Sequence, residues 1–303
     1  MNIETSTISA ELLNTAFVDK VCGGLEKEAA EAGSRYIRQK LYEDGILRRL
    51  FPPRTVTAEE LDKDTDSDIP SIISEIEPDA SKATYVPFKG TGEHRYFEGK
   101  SFRIYFGKVE SERMSKNKFE LLTYKMPITQ WLQENQVKAV QQEEDGLFIQ
   151  TLGDILTVDA SQKITVSAGA TDFKQTFIAG MKALTSRRLP QGKVLMHKNT
   201  FIDSLALKTE DIGYKPQEER FNRGVDGEDS FLGVPVVTTI KDDLVKENEM
   251  YFFAPQEYFM HNYLLQDATL FLETRADMIH FHTYEAPGCG IGNTGAFVKI
   301  VIE

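Results

Sequence analysis

The sequence predicts an α+β protein, with helices and strands mixed rather than alternating in regular strand–helix units. Three observations lead there. Apolar residues recur at helical spacing before Pro52, from Pro127 to about Leu156, and from Asp172 to about Arg188. Between Tyr85 and Lys125, β-branched and aromatic residues alternate with charged ones. After Pro190, short strand-like runs are interspersed with brief helical ones, and no internal repeat is evident.

In chain order, Leu25, Ala29, Tyr36, Ile37, Leu41, Leu47 and Leu50 mark a first helical stretch, which Pro52 and Pro53 stop. From Thr55 to Ala83 short apolar dabs sit in acidic sequence, as in AEELDKDTDSDIPSIISEIEPDAS. A run that long without regular structure is unusual inside a compact domain and reads as an extended arm needing another surface to lie on. Tyr85 to Lys125 reads as a long antiparallel ribbon exposed in part on both faces. Phe102, Ile104 and Phe106 fall on one face, Arg103 and Tyr105 on the other.

Pro127 suits the first position of a helix. The following segment carries Ile128, Trp131, Leu132, Val137, Val140, Leu147, Phe148 and Leu152, with Gly146 as its weak point. The spacing predicts one long helix, bent if anywhere at Gly146. A second helix is predicted from Asp172 to about Arg188, capped by Thr171 or Asp172 and ended by Pro190 and Gly192. VLMHKN predicts a buried strand, NTFIDSLAL a short helix from Asn199, and PQEERFNRGVDGEDSFLG a loop. GVPVVTTI and EMYFFAP read as strands, EYFMHNYLL as a short helix, and TLFLETRADMIHFHTYE and GAFVKIVIE as strands.

With 303 residues, 41% hydrophobic and 27% charged, the chain is long enough for one large or two modest cores. No apolar run approaches a membrane span, and the N-terminus lacks the basic start and apolar stretch of an export signal. Cys22 and Cys289 are the only cysteines, so neither a disulfide framework nor a cysteine metal cluster is available; of a single bridge between them and two buried free thiols, the thiols are expected in a reducing cytoplasm. The formal net charge of −12 opposes a sequence-independent grip on nucleic acid, which depends on basic side chains neutralising phosphates. It leaves room for a protein that merely encloses nucleic acid.

Gly290-Ile291-Gly292-Asn293-Thr294-Gly295 fits the letters of a dinucleotide-binding loop. That chemistry needs a helix opening on the last glycine and an acidic residue roughly 20 positions on. The strand-like FVKIVIE follows instead, so the glycines are expected to supply positive backbone dihedrals for a sharp turn. His280 and His282 share one strand face, and Glu285 is near in sequence, but no further metal ligand is recognisable. His94, His197 and His261 are isolated. No nucleophile elbow, phosphate loop or catalytic cysteine context is present. Glu143 with Glu144, and Glu218 with Glu219, read as solvated faces. Arg187-Arg188 and Arg48-Arg49 end helices, where positive charge complements the macrodipole, or meet acidic segments such as Glu59 to Asp68 of a neighbouring copy. The residues therefore nominate no catalytic, cofactor-binding or metal site.

The order of elements resembles the Hong Kong 97-type capsid fold of tailed-bacteriophage major capsid proteins. KVLMHKNTFIDSLAL and FLGVPVVTTI followed by EMYFFAP resemble parts of its axial domain. ATLFLETRADMIHFHTYEAPG resembles its long peripheral-domain strand, and GAFVKIVIE the strand returning to the axial domain. The resemblance implies an N-terminal helix and arm over residues 1–83 and an E-loop ribbon over 84–125. It implies a peripheral domain with a spine helix over 126–194 and 268–289, and an axial domain over 195–267 and 290–303. It further implies a non-enzymatic subunit, without cofactor or membrane contact, that self-assembles as pentamers and hexamers into an icosahedral head. Such a head assembles in the host cytoplasm, encloses double-stranded DNA, and engages scaffolding, portal and decoration proteins. Two alternatives remain: an encapsulin-like compartment shell of the same fold, and a metal-dependent enzyme using His280, His282 and Glu285.

Overall fold

A computed structural model describes residues 45–62, 68–77, 83–92, 94, 96, 98–123, 128–166, 173–202 and 229–302. In chain order the elements are α1 (Ile46–Leu50), β1 (Arg54–Thr55), β2 (Ser71–Ile76), β3 (Lys100–Tyr105), β4 (Val109–Glu110), β5 (Met114–Asn117), α2 (Lys118–Thr123) and α3 (Ile128–Val158). There follow β6 (Lys163–Val166), α4 (Phe173–Ser186), β7 (Val194–His197), α5 (Lys198–Ile202), β8 (Asp229–Phe231), β9 (Val234–Thr239), β10 (Glu249–Phe253), α6 (Gln256–Phe259), β11 (Met260–Arg275), β12 (Met278–Ile291) and β13 (Phe297–Ile302). The mixed composition predicted from sequence is what forms. No described helix is long and apolar enough to cross a membrane. The helical pattern before Gly45, the loop-rich stretch after Ile202, Cys22, Glu218 and Glu219 lie outside the described residues.

Two sheets organise the chain. A six-stranded mixed sheet has the order β6-β13-β10-β7-β9-β8, with β6/β13 and β7/β9 parallel and the other pairs antiparallel. Its strands are apolar on both faces because both faces are covered. Val194, Met196, Met250, Phe252, Val298 and Ile300 meet Phe177 and Leu184 of α4 on one side. Leu195, Val237, Tyr251, Phe253 and Phe297 meet Leu47, Leu50 and Phe51 from α1 and its exit, with Phe148 and Leu152 of α3, on the other. Strand periodicity of two divides EMYFF between the two cores. Each fully buried phenylalanine contributes about 1.5–3 kcal/mol of transfer free energy. Gly180 lets α4 approach closely: a Cβ there would lie 2.4 Å from Phe252 Cε2.

The second sheet is built on the β11–β12 hairpin, with arms of 16 and 14 residues, flanked by β1 beside β11 and by β4 and β5 beside β12. α3 runs as one helix of 31 residues. Its middle lies on this hairpin, where Val137 meets Ala268 and Leu270, and its later part enters the core of the other sheet. Gly146 does not interrupt it; a glycine costs about 1 kcal/mol in a helix interior, and burial of Phe148 and Leu152 offsets that.

Several expectations are corrected by long-range pairing. EYFMHNYLL is helical only through Phe259; from Met260 onward it is strand, because β12 pairs with it along its length. The expected single long strand is a hairpin that turns at Ala276-Asp277, with Ala276 at φ 52°. The partner of the Lys100–Tyr105 strand is β2, from the stretch expected to be arm, in the register Ser71↔Tyr105 to Ile76↔Lys100. Residues 109–117 do not extend the ribbon but pair with β12. β6 and α4 pack on the six-stranded sheet.

Candidate functional site

The ribbon is the first candidate surface. β2 and β3 form a hairpin whose connection spans residues 77–99. Its base is held by a small core in which Ile104 and Phe106 meet Val56 and Tyr263, with Leu61, Ile72, Phe102 and Leu265 at the margin. The expected division holds here: Ile104 and Phe106 are buried and Phe102 half-buried, while Tyr105 is exposed on the other face. Away from that base the apolar residues lie in water. Tyr85, Phe88 and Tyr96 are fully exposed, and Ile69, Ile73 and Ile76 also face solvent. Large apolar side chains exposed together along one hairpin and its connection mark an interaction surface rather than a monomer's ordinary exterior.

The glycine-rich segment serves that base. Gly233 is the positive-φ glycine among the described residues, so Gly290, Gly292 and Gly295 do not supply the dihedrals expected of them. Gly290 is instead a close-approach residue, since a Cβ there would lie 2.4 Å from Ile104 Cγ1, and Gly288 gives way in the same manner to the Phe106 ring. Strand β12 is thus bare where the ribbon crosses it. Cys289, between them, is exposed rather than buried.

The second candidate lies where α1, α3, β11 and β12 meet. Arg48 is buried and donates from Nε to Glu144 Oε2 at 3.1 Å and from Nη2 to Glu144 Oε1 at 3.1 Å. Nη2 also donates to Glu285 Oε2 at 2.7 Å, and Nη1 lies 3.7 Å from Asp267 Oδ1. Burial works against the Arg48 charge, but Glu144 and Glu285 outweigh it and raise its pKa. Burial, reinforced by Glu144, pushes the Glu285 carboxyl up to about 9. Beside this group, Asp145 accepts from the amides of Ile46 at 3.4 Å and Leu47 at 3.0 Å, and from Lys241 Nζ at 2.9 Å. A carboxylate from α3 thereby satisfies the first amides of α1, which has no side-chain cap of its own.

Glu144 is therefore a buried partner rather than a solvated face, and Arg48 meets Glu144 and Glu285 rather than the Glu59–Asp68 stretch. Arg187 likewise turns inward, donating to the carbonyls of Gly295, Phe297 and Ser161. Arg49 donates to the Thr238 carbonyl at 3.5 Å. Charge type was legible in the sequence; burial was not.

The histidine pair does not form a metal site with Glu285. His280 Nδ1 is 2.7 Å from Ser115 Oγ, and His282 stacks on Phe271 at 5.3 Å. Burial lowers the His282 pKa, with Glu110 opposing. Glu285 sits on the opposite face of β12, in the Arg48 group. A different set, His197, Asp242 and Glu247, brings ligand-type atoms within 4.8 Å of one another. His197 Nδ1 accepts from the Asn199 amide at 3.1 Å, so the ring proton belongs on Nε2, 2.7 Å from Asp242 Oδ1. Glu247 accepts from Asn199 Nδ2. The three residues gather at the start of α5; Nδ1 is taken by the Asn199 amide, while Nε2 lies beside Asp242 without a hydrogen bond of good geometry.

No protein-family model matches the chain, and no curated protein sequence matches it. Solved structures do. A virus-like particle from Pyrococcus furiosus superimposes with a TM-score of 0.56 at 15% identity, covering 90% of this chain and 99% of that one. The capsid of a native GTA particle gives 0.57 at 13% identity, covering 84% and 89%. A structure from Mycobacterium phage Bobi gives 0.58 at 13% identity, covering 86% and 90%. The chain has the Hong Kong 97-like capsid fold.

Proposed function

We propose that this protein is a major capsid protein whose copies assemble into an icosahedral head enclosing packaged phage double-stranded DNA. The observation that carries the reading is the ribbon: on a fold shared with capsid subunits, one hairpin and its connection hold Tyr85, Phe88 and Tyr96 fully in water. Neighbouring copies in a closed shell cover such a surface through heterologous contacts. In this reading the β2–β3 hairpin is the E-loop and α3 the spine helix. The β11–β12 sheet is the peripheral domain, and the six-stranded sheet the axial domain. Function then resides in contacts spread over the subunit, with pentamers and hexamers as the assembling units. Scaffolding, portal and decoration proteins are the expected partners, and the virion is the expected location, after assembly in the host cytoplasm. The formal charge of −12 suits a wall that encloses DNA without gripping it.

Negative-stain microscopy and light scattering of the purified full chain test this. Closed particles, or pentameric and hexameric rings, support it. A small monodisperse species carrying stoichiometric metal overturns it in favour of an enzyme. Particles that load a host enzyme through that enzyme's terminal peptide overturn it in favour of a compartment shell.

A further inference from the structure

Arg48 Nη2 is shared by oxygens of two different carboxyl groups, Glu144 Oε1 at 3.1 Å and Glu285 Oε2 at 2.7 Å. The two carboxyl groups thus crowd one guanidinium nitrogen, and where they meet a proton must lie between them, because two carboxylates are acceptors only. The burial is deep: the Glu285 side chain is 0% exposed, that of Arg48 4% and that of Glu144 5%. Among the described residues, Glu285 Oε1 has no hydrogen-bond partner.

Charge counting agrees with the geometry. From α1 the pair faces Arg48, from α3 also Asp145, from β11 Asp267, and from the loop after β9 Lys241. Along β12, burial around the sulfur and, after it, Glu144 push the Cys289 thiol up, although the residue as a whole is exposed. Among the described residues Lys241 is engaged by Asp145, and Arg48 is the cation bonded to both Glu144 and Glu285. Fully ionised, the group would bury uncompensated negative charge, which a protein avoids by keeping a proton.

We propose that one proton shared between Glu285 and Glu144 is a latch: it keeps the segment around α1 docked on α3 and the β11–β12 hairpin, and its loss as pH rises undocks that segment. The docked state holds a proton that the undocked, solvated carboxyl gives up. Docking is therefore fully favoured below the ordinary glutamate range, near 4.5, and weakens progressively as pH rises towards about 9, beyond which it changes no further. Asp145 is also held up by burial, with the Leu47 amide and Lys241 pulling the other way, so the test must isolate Glu285. The latch is a property of the single chain and does not depend on the shell reading.

Two measurements on the purified full chain decide it. Infrared titration should show a protonated-carboxyl carbonyl band at neutral pH that disappears under alkaline conditions and is missing from Glu285→Gln. Hydrogen exchange should show protection at Arg49 and Phe51, whose amides donate to Gly45 and Leu47, falling at least about tenfold relative to β10 amides between neutral pH and about 9. Glu285→Gln keeps the neutral shape and should hold protection constant over that range. A wild-type protein with no such band overturns the latch, even if the variant fails to fold. So does a band whose loss leaves α1 protection unchanged, or a Glu285→Gln protein that keeps the wild-type pH dependence.

Discussion

The Oδ1 atom of Asp145 accepts a hydrogen bond from the Leu47 amide at 3.0 Å, across 98 residues of sequence. The cap that a five-residue helix cannot supply from its own flank comes from the middle of a 31-residue one. Asp145→Ala removes that cap and leaves the Lys241 ammonium without its carboxylate. The expected loss is about 1–3 kcal/mol in urea denaturation. Asp145→Asn retains an amide-accepting oxygen and should lose less.

Arg48→Met should be more damaging, by about 3–5 kcal/mol, because it strands Glu144 and Glu285 in the interior without a cation. Replacing all three together, as Arg48→Met, Glu144→Leu and Glu285→Leu, should recover most of that loss. Guanidinium melts of both proteins measure the difference. Equal destabilisation by the single and the triple variant would show that lost packing, and not the stranded charges, causes the loss.

Gly180→Ala places a methyl group against the Phe252 ring, so α4 must lift from the sheet. A loss of about 1–3 kcal/mol is expected. Phe252→Leu creates its own cavity but should relieve part of the clash, giving a favourable coupling in a double-mutant cycle.

Tyr85→Ser, Phe88→Ser and Tyr96→Ser act on groups that are fully exposed in the single chain. Combined, they should leave subunit stability within about 0.5 kcal/mol and abolish particles in sedimentation. Particles that form normally would place the assembly contacts elsewhere.

What the sequence made legible was local. The alternation in EMYFF, the helical spacing of Val137, Val140, Phe148 and Leu152, and the facing of Ile104 and Phe106 against Tyr105 all follow from short-range periodicity and recur in the structure. What was not legible was partnership over long sequence distance. Tyr258 and Phe259 resemble the start of a helix that continues, yet Met260 is recruited as a strand because Ile291 lies opposite it. Arg48 and Glu144 looked like ordinary surface charges because nothing in their neighbourhoods announces burial. The glycines near 290 signalled an unusual demand on the backbone, but the demand was room for Ile104 and not a left-handed turn.

The β11–β12 hairpin leaves the six-stranded sheet after α6 and returns to it through β13, and the amides of Gly292 and Asn293 both donate to the Phe259 carbonyl where the two arms meet. That clasp makes the hairpin an insertion with a closed neck. Related chains can lengthen or trim its far end by one residue on each arm without disturbing the other sheet. A residue added to one arm alone turns later side chains to the opposite face unless a bulge absorbs it, as the register shifts between Leu264 and Gln266 and between Gln266 and Thr269 do here. The reach of the subunit is thus free to drift in matched steps while its inner sheet stays fixed.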